Sequence, residues 1–305
     1  MNNLRINFAD FWPNFNKTDN YFYWLLSQKY SVEISDDPEL LFFSVDYTHS
    51  KERDRFKNCK RVFYTGENVR PNFGKEDIDY GRYLIGPCDG ALSFDYSSDE
   101  RNFRFPLWAF MLNWFDRQYI HERDPAFLVG LDNVTTRGII SILEKGRFCN
   151  FIFSNHSGMR TEIFNAISSG YGHIDSPGRL LNNMEYLSGR GDQIGKMLFL
   201  CNYKFTIAAE NSQYDGYITE KILHPFSVGS IPIYWGSKRI EEFNPDAFIN
   251  ANEMSMADLV DRVREIDQDD SKYAEMVNTV PIYPEALEKV SPENVLNFVE
   301  RILNA

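Results

Sequence analysis

The stretch from Phe205 to Gly236, FTIAAENSQYDGYITEKILHPFSVGSIPIYWG, restricts the fold of this chain more than any other. An apolar run (204–209) leads into a polar loop (210–217), then a helical pattern (219–228), then a second apolar run (231–235). Strand, loop, helix and strand in that order form a βαβ unit. Its right-handed crossover makes the two strands parallel and puts the loop and the helix N-terminus at one rim of a sheet. Thr219 is placed as N-cap, so Glu220 and Lys221 fall in the first turn. That turn offers free backbone N–H groups and the positive end of the helix dipole, a ready site for an anion. A lysine there is locally unfavourable unless a phosphate completes the charge balance. Spacing alone leaves two readings for Lys221, a phosphate ligand or a solvated surface lysine.

The same alternation extends in both directions. Strands are expected at 4–9, 32–35, 40–45, 60–65, 91–95 and 148–154, with helices at 19–28 and 160–168. Ser255 and the Ser291-Pro292 pair announce two C-terminal helices, each with an apolar stripe. The chain of 305 residues is long enough for two such α/β halves. The expected division is 1–130, 131–290 and a C-terminal helix over 291–305, with the halves facing each other across a cleft. Ligands of such sheets lie beyond the C-terminal ends of the strands. Arg160 repeats the geometry of Lys221, following a strand and a small-residue loop and opening a helix. The two cations could clamp one diphosphate, or each could be a surface charge. Glu67, between Gly66 and Asn68, ends a strand of the first half. It is a candidate general base, with a loop glutamate or helix cap as the plainer alternative.

Composition excludes several partners. A formal charge of −12 argues against nucleic acid and anionic membranes, so a phosphate site has to be built from a few local cations. No run approaches the length of a membrane span, and the first residues lack the pattern of a signal peptide. Cys59, Cys88, Cys149 and Cys201 are widely spaced, as in a reduced, cytoplasmic protein. The two D-x-D matches, Asp77-Ile78-Asp79 and Asp267-Gln268-Asp269, do not follow apolar strands, and the histidines show no ligand spacing, so no metal is expected. Gly189-Arg190-Gly191 lacks the helix a dinucleotide loop needs, and no G-x-G-x-x-G follows any strand, which disfavours an oxidoreductase. Aromatic residues make up 15% of the chain; Trp12, Trp24 and Trp108 are either sugar contacts or packing.

The run ENSQYDGYITEKILHPFSVGSIPIYWG resembles the donor-binding signature of the α-1,3/4-fucosyltransferase family: ENS, then Y-x-T-E-K, then P-x-Y-x-G. RVFYTGENVRPNF resembles the strand that leads to the family's proposed catalytic glutamate, especially in Helicobacter-group members. Phe153-Ser154-Asn155 with Arg160, and Phe243-Asn244-Pro245 with Phe248-Ile249, also match. The resemblance implies a GT-B fold of two Rossmann-like domains, with an acceptor-binding N-terminal domain and a GDP-fucose-binding C-terminal one. It implies inverting transfer of fucose to a GlcNAc or glucose hydroxyl of a β-galactoside oligosaccharide acceptor, most simply as an α-1,3 linkage. Arg160 and Lys221 would bind the diphosphate; Asn211, Tyr217 and Glu220 would contact ribose, phosphates or fucose; Glu67 would be the base and Tyr64 would stand at the acceptor. No divalent metal or other cofactor would be essential. A GT-B enzyme with another nucleotide sugar, or a non-catalytic nucleotide-sugar-binding protein, remain the alternatives. Two departures from the family stand out. Pro225 falls inside the helix after Lys221, where a kink is expected. The leucine-containing repeats and basic tail of many bacterial relatives do not follow, so dimerisation or membrane attachment by that route is not expected.

Overall fold

A computed structural model describes residues 2–45, 51–69, 88–117, 128–137, 145–187 and 193–305. The chain divides into two compact units, Met1–Phe110 with Glu288–Ala305, and Met111–Leu287. The sequence expectation set the first boundary near 130; residues 118–127 lie outside the described residues, as do Asp77–Asp79 and Gly189–Gly191.

In the first unit, β1 (Asn2–Ala9), α1 (Tyr21–Ser27), β2 (Tyr30–Ile34), β3 (Leu40–Phe43), β4 (Lys60–Tyr64), β5 (Gly90–Ser93), β6 (Asn102–Arg104) and α2 (Leu107–Phe110) follow in order. The strands form one parallel sheet in the order β2-β1-β3-β4-β5-β6. Parallel strands buried on both faces read as continuous apolar runs, and all four residues of β3, Leu-Leu-Phe-Phe, are buried. Asn20 caps α1, its Oδ1 accepting from the amides of Phe22 and Tyr23 at 3.1 and 3.0 Å. The helix lays Phe22 on Phe42 with ring centroids 4.6 Å apart.

The second unit contains α3 (Leu131–Thr135), β7 (Arg147–Asn150), α4 (Gly158–Gly170), β8 (Ile174–Asp175), α5 (Gln193–Leu200), β9 (Tyr203–Ala209), α6 (Glu220–Ser227), β10 (Ile231–Trp235), β11 (Ile249–Asn250), α7 (Met256–Gln268) and α8 (Asp270–Asn278). Its parallel sheet has the order β11-β10-β9-β7-β8. Chain order runs outward from the centre in both directions, so the topological switch point lies between β7 and β9, and a crevice opens beyond their C-terminal ends. The strand expected over 148–154 stops at Asn150. Beyond it the Phe151 amide still donates to the Asp175 carbonyl of β8 at 3.0 Å, and Phe151 and Phe153 stay buried (0 and 8% exposed), packing into the core and beneath α4. Pro225 is accommodated near the end of α6: the helix closes at Ser227, and the Pro225 carbonyl accepts from Val228 and Ser230.

The chain then passes through α9 (Pro284–Lys289) into α10 (Pro292–Asn304). Ser291 caps α10, accepting from the Asn294 amide, and Pro292 stands at its first turn. This helix belongs to the first unit. Glu300 accepts from Lys29 Nζ at 2.8 Å and from the Tyr30 hydroxyl at 2.5 Å, and Phe298 meets Phe103 at 5.4 Å. A Cβ on Gly90 would stand 2.9 Å from Ile302 Cδ1, so the absent side chain is what lets the helix sit against β5.

Candidate functional site

The switch point of the second unit is where the expected donor residues gather. β9 delivers Glu210 at its C-terminal end, with the Glu210 amide continuing the ladder to the Trp235 carbonyl at 2.8 Å. The Glu210 side chain is fully buried and turns to the start of α6. One of its oxygens, Oε1, accepts from the Thr219 amide at 2.8 Å, and the Thr219 hydroxyl lies 2.9 Å from both carboxylate oxygens. Thr219 is in extended conformation and caps α6, accepting from the Lys221 amide at 3.4 Å. The Lys221 ammonium donates to the Thr219 hydroxyl at 3.0 Å, and lies 3.1 Å from Glu210 Oε2 and 3.7 Å from Glu220 Oε1. Burial pushes the Glu210 carboxyl up despite Lys221. For Lys221, burial opposes the charge, but Glu210 and Glu220 outweigh it and hold the ammonium protonated.

The loop between β9 and α6 is tied down by residues at and after the end of β10, Tyr234, Gly236 and Ser237, and by Asn252. Gly216 adopts φ 88°, which only glycine tolerates well, and its amide donates to Ser237 Oγ at 2.8 Å. The Ser237 amide in turn donates to the Tyr234 hydroxyl at 3.1 Å. At Gly236 a Cβ would come within 2.6 Å of both Glu210 Cγ and the Tyr234 hydroxyl. Glycine there is a condition for the buried carboxylate to sit where it does. Asn252 closes the far side, accepting from the Gly236 amide at 3.2 Å and from Gln213 Nε2 at 3.0 Å.

Arg160, on the first turn of α4, reaches across the same crevice. Its guanidinium lies over the Phe153 ring at 4.2 Å. Nε and Nη2 donate to the Ala209 carbonyl at 3.2 and 2.9 Å, Nη1 to the Asn155 carbonyl at 3.2 Å, and Nη2 to Asn211 Oδ1 at 2.7 Å. The residue is 2% exposed, and burial lowers its pKa against the opposing charges of Glu210 and Glu220. Arg160 therefore staples the ends of β7 and β9 together and orients Asn211, in addition to bringing charge. Tyr217 is buried beside this group, its amide bonded to the Tyr214 carbonyl at 3.1 Å. The structure thus brings Arg160, Asn211, Tyr217, Glu220 and Lys221 into one cradle.

Glu67 and Tyr64 lie in the first unit, at and just after the end of β4. The Glu67 amide donates to Thr65 Oγ1 at 3.1 Å, a local turn that ends the strand and leaves the glutamate half-buried. Tyr64, expected at the acceptor, has no exposed surface: its ring stacks on Phe110 at 5.1 Å and meets Phe22 edge-on at 5.1 Å. It anchors the strand that carries Glu67. Trp108 is likewise fully buried, and Trp12 packs on Phe11, Phe15 and Phe110.

Sequence reasoning gave no role to Glu210, Lys196, His224 or Asn252. A carboxylate directly after an apolar strand in a βαβ unit was the available signal for Glu210; Asn252 had none. Of the discounted acidic pairs, Asp267 holds Lys204 at 2.9 Å and the Tyr171 hydroxyl at 2.7 Å, and Asp269 caps α8. Among the described residues, no group of three or more His, Cys, Asp or Glu side chains is arranged to hold a metal ion.

Two family models match the chain: the α-(1,3)-fucosyltransferase FucT N-terminal domain over residues 6–111, and the glycosyltransferase family 10 (fucosyltransferase) C-terminal domain over residues 142–280. The α-(1,3)-fucosyltransferase FucT of Helicobacter pylori is 27% identical over 304 residues, covering 92% of this chain and 61% of the relative. The GDP-fucose protein O-fucosyltransferase 3 of Bos taurus is 36% identical over 111 residues, covering 34% of this chain and 23% of the relative. The chain thus spans about three-fifths or less of the length of these two relatives. A crystal structure of an α1,3-fucosyltransferase with GDP superposes with a TM-score of 0.71 at 25% identity, covering 100% of this chain and 91% of that one. Two parallel α/β units with this likeness make the fold GT-B.

Proposed function

The chain belongs to glycosyltransferase family 10, the fucosyltransferases, and from that premise we propose that it transfers L-fucose from GDP-β-L-fucose to an acceptor sugar by a single inverting displacement. The acceptor hydroxyl belongs to a GlcNAc or glucose unit of a β-galactoside oligosaccharide, and the linkage formed is α-1,3. The observation that carries this reading is the cradle at the switch point, where Lys221 and Arg160 stand beside a capped helix N-terminus.

The chemistry follows from the charges. As the bond from the fucose anomeric carbon to the β-phosphate oxygen breaks, negative charge gathers on the diphosphate. Lys221, Arg160 and the first-turn amides of α6 meet that charge. These cations do what a divalent metal does in other transferases, so no metal is required. Asn211, Tyr217 and Glu220 hold the ribose, phosphates or fucose. On the other face of the sugar, the acceptor hydroxyl attacks the anomeric carbon while Glu67 takes its proton. One displacement of a β-linked donor leaves an α-linked product. Tyr64 serves the acceptor side by fixing the strand end under Glu67. The four cysteines are unpaired, which supports a reducing compartment such as the cytoplasm; among the described residues no helix is long and apolar enough to cross a membrane.

The reading is tested by incubating the protein with GDP-fucose and N-acetyllactosamine and assigning the product by proton NMR. An α-fucosyl residue on the GlcNAc 3-hydroxyl is expected. A β-linked product would overturn the single displacement, and no fucosylated product from any β-galactoside acceptor would overturn the activity.

A further inference from the structure

The donor cradle contains a lysine that the signature motif does not include. Lys196, on α5, places its ammonium 3.0 Å from Nδ1 of His224 on α6. Burial lowers the Lys196 pKa while Glu220 raises it; as an ammonium Lys196 can only donate, which makes Nδ1 the accepting nitrogen of a neutral ring. A protonated ring would set two donors against each other at this distance. The imidazole is 2% exposed, which also opposes a charge on it. His224 lies one turn beyond Glu220 on the same face of α6, so the ammonium that His224 holds is near enough for its charge and that of Glu220 to act on each other. Burial pushes the Glu220 carboxyl up, yet Lys221 and then Lys196 pull it down to about 2.

The charge balance of the cradle depends on this residue. Lys221 is engaged by Glu210 at 3.1 Å, and Arg160 by the Ala209 and Asn155 carbonyls. Arg160 and Lys221 against Glu210 and Glu220 leave no net charge; Lys196 makes the group positive, as a diphosphate requires. We propose that Lys196 is a positioning residue for the nucleotide diphosphate: held by His224 beside Glu220, it gives the donor cradle its net positive charge. The inference rests on the donor-binding function proposed above.

Titration of the full chain with GDP tests it, using Lys196→Met, Lys196→Gln and Lys196→Arg. Glutamine keeps a donor for His224 Nδ1 without the charge and guards against loss of folding in the methionine variant. Both uncharged variants are expected to weaken GDP binding about tenfold, the scale of one charge-assisted contact, while arginine stays near wild type. Wild-type affinity in the folded uncharged variants would overturn the role of Lys196. So would an arginine variant as weak as the methionine one, because that would assign packing rather than charge. A wild-type protein that does not bind GDP would overturn the donor function itself, and the two failures are distinguished by that control.

Discussion

Replacing Glu67 by Gln is expected to leave GDP-fucose affinity unchanged and to lower the rate of transfer by about 10²–10⁴-fold, the range for loss of a general base. Glutamine preserves the size and polarity of the side chain at the end of β4, and the turn there is made by the Glu67 backbone amide and Thr65 Oγ1, so it survives the substitution. The strand beneath it is fixed by Tyr64 against Phe110 and Phe22. Only the capacity to accept a proton is removed. Donor binding, which the proposed reading assigns to the second unit, acts as an internal control, measured by titration on the same preparation used for turnover. Near-normal turnover in Glu67→Gln would move the base to another residue.

Glu210→Ala is expected to have the largest effect on stability. The carboxylate is fully buried and accepts from the Thr219 amide and hydroxyl while pairing with Lys221. Removing it strands one buried amide, loosens the N-cap of α6 and leaves Glu220 as the one carboxylate beside Lys221. Breaking a buried pair costs about 3–5 kcal/mol; the lower end, about 3 kcal/mol, is expected because Lys221 keeps some solvent access. Donor affinity should fall with it, since the helix start and its lysine are positioned by this one side chain. Denaturant unfolding read on the second unit, paired with a GDP-fucose titration, checks both consequences. A variant that unfolds at the wild-type midpoint would contradict the anchoring role of Glu210.

Much of this arrangement was legible in the sequence, for identifiable reasons. The βαβ unit over 205–236 pairs two largely apolar strands with a threonine cap, and β9, α6 and β10 form there. The Ser255 and Ser291 caps started helices as expected, because a serine hydroxyl that accepts from an amide three residues on is a local device needing no tertiary information. Local patterns failed where the deciding contact is distant. β8 and β11 are two residues each and are strands only by virtue of the neighbours they pair with. Phe151 and Phe153 extend the apolar run of β7 but are used beneath α4 and Arg160, so the strand was expected too long. The apolar stripe of α10 says that one face is buried, not that it packs on the first unit's sheet and pairs Glu300 with Lys29.

The site divides the same way. Arg160 and Lys221 stood out as cations at helix starts following strands, a pattern with an electrostatic meaning. Glu210 reads as the first residue of a polar loop; its place directly after an apolar strand is the one local signal, and it does not say that the carboxylate is sealed under a helix cap. Lys196 and His224 are brought together from separate helices, and no spacing rule pairs them.

The most direct test of donor identity is calorimetric titration of the purified protein with GDP-fucose, GDP-mannose and UDP-galactose in the presence of EDTA. Selective binding of GDP-fucose without metal is the expected result. Tighter binding of either other donor, or no binding until a divalent cation is restored, would contradict a cradle in which protein cations and helix amides, rather than a metal, receive the diphosphate of a fucosyl donor.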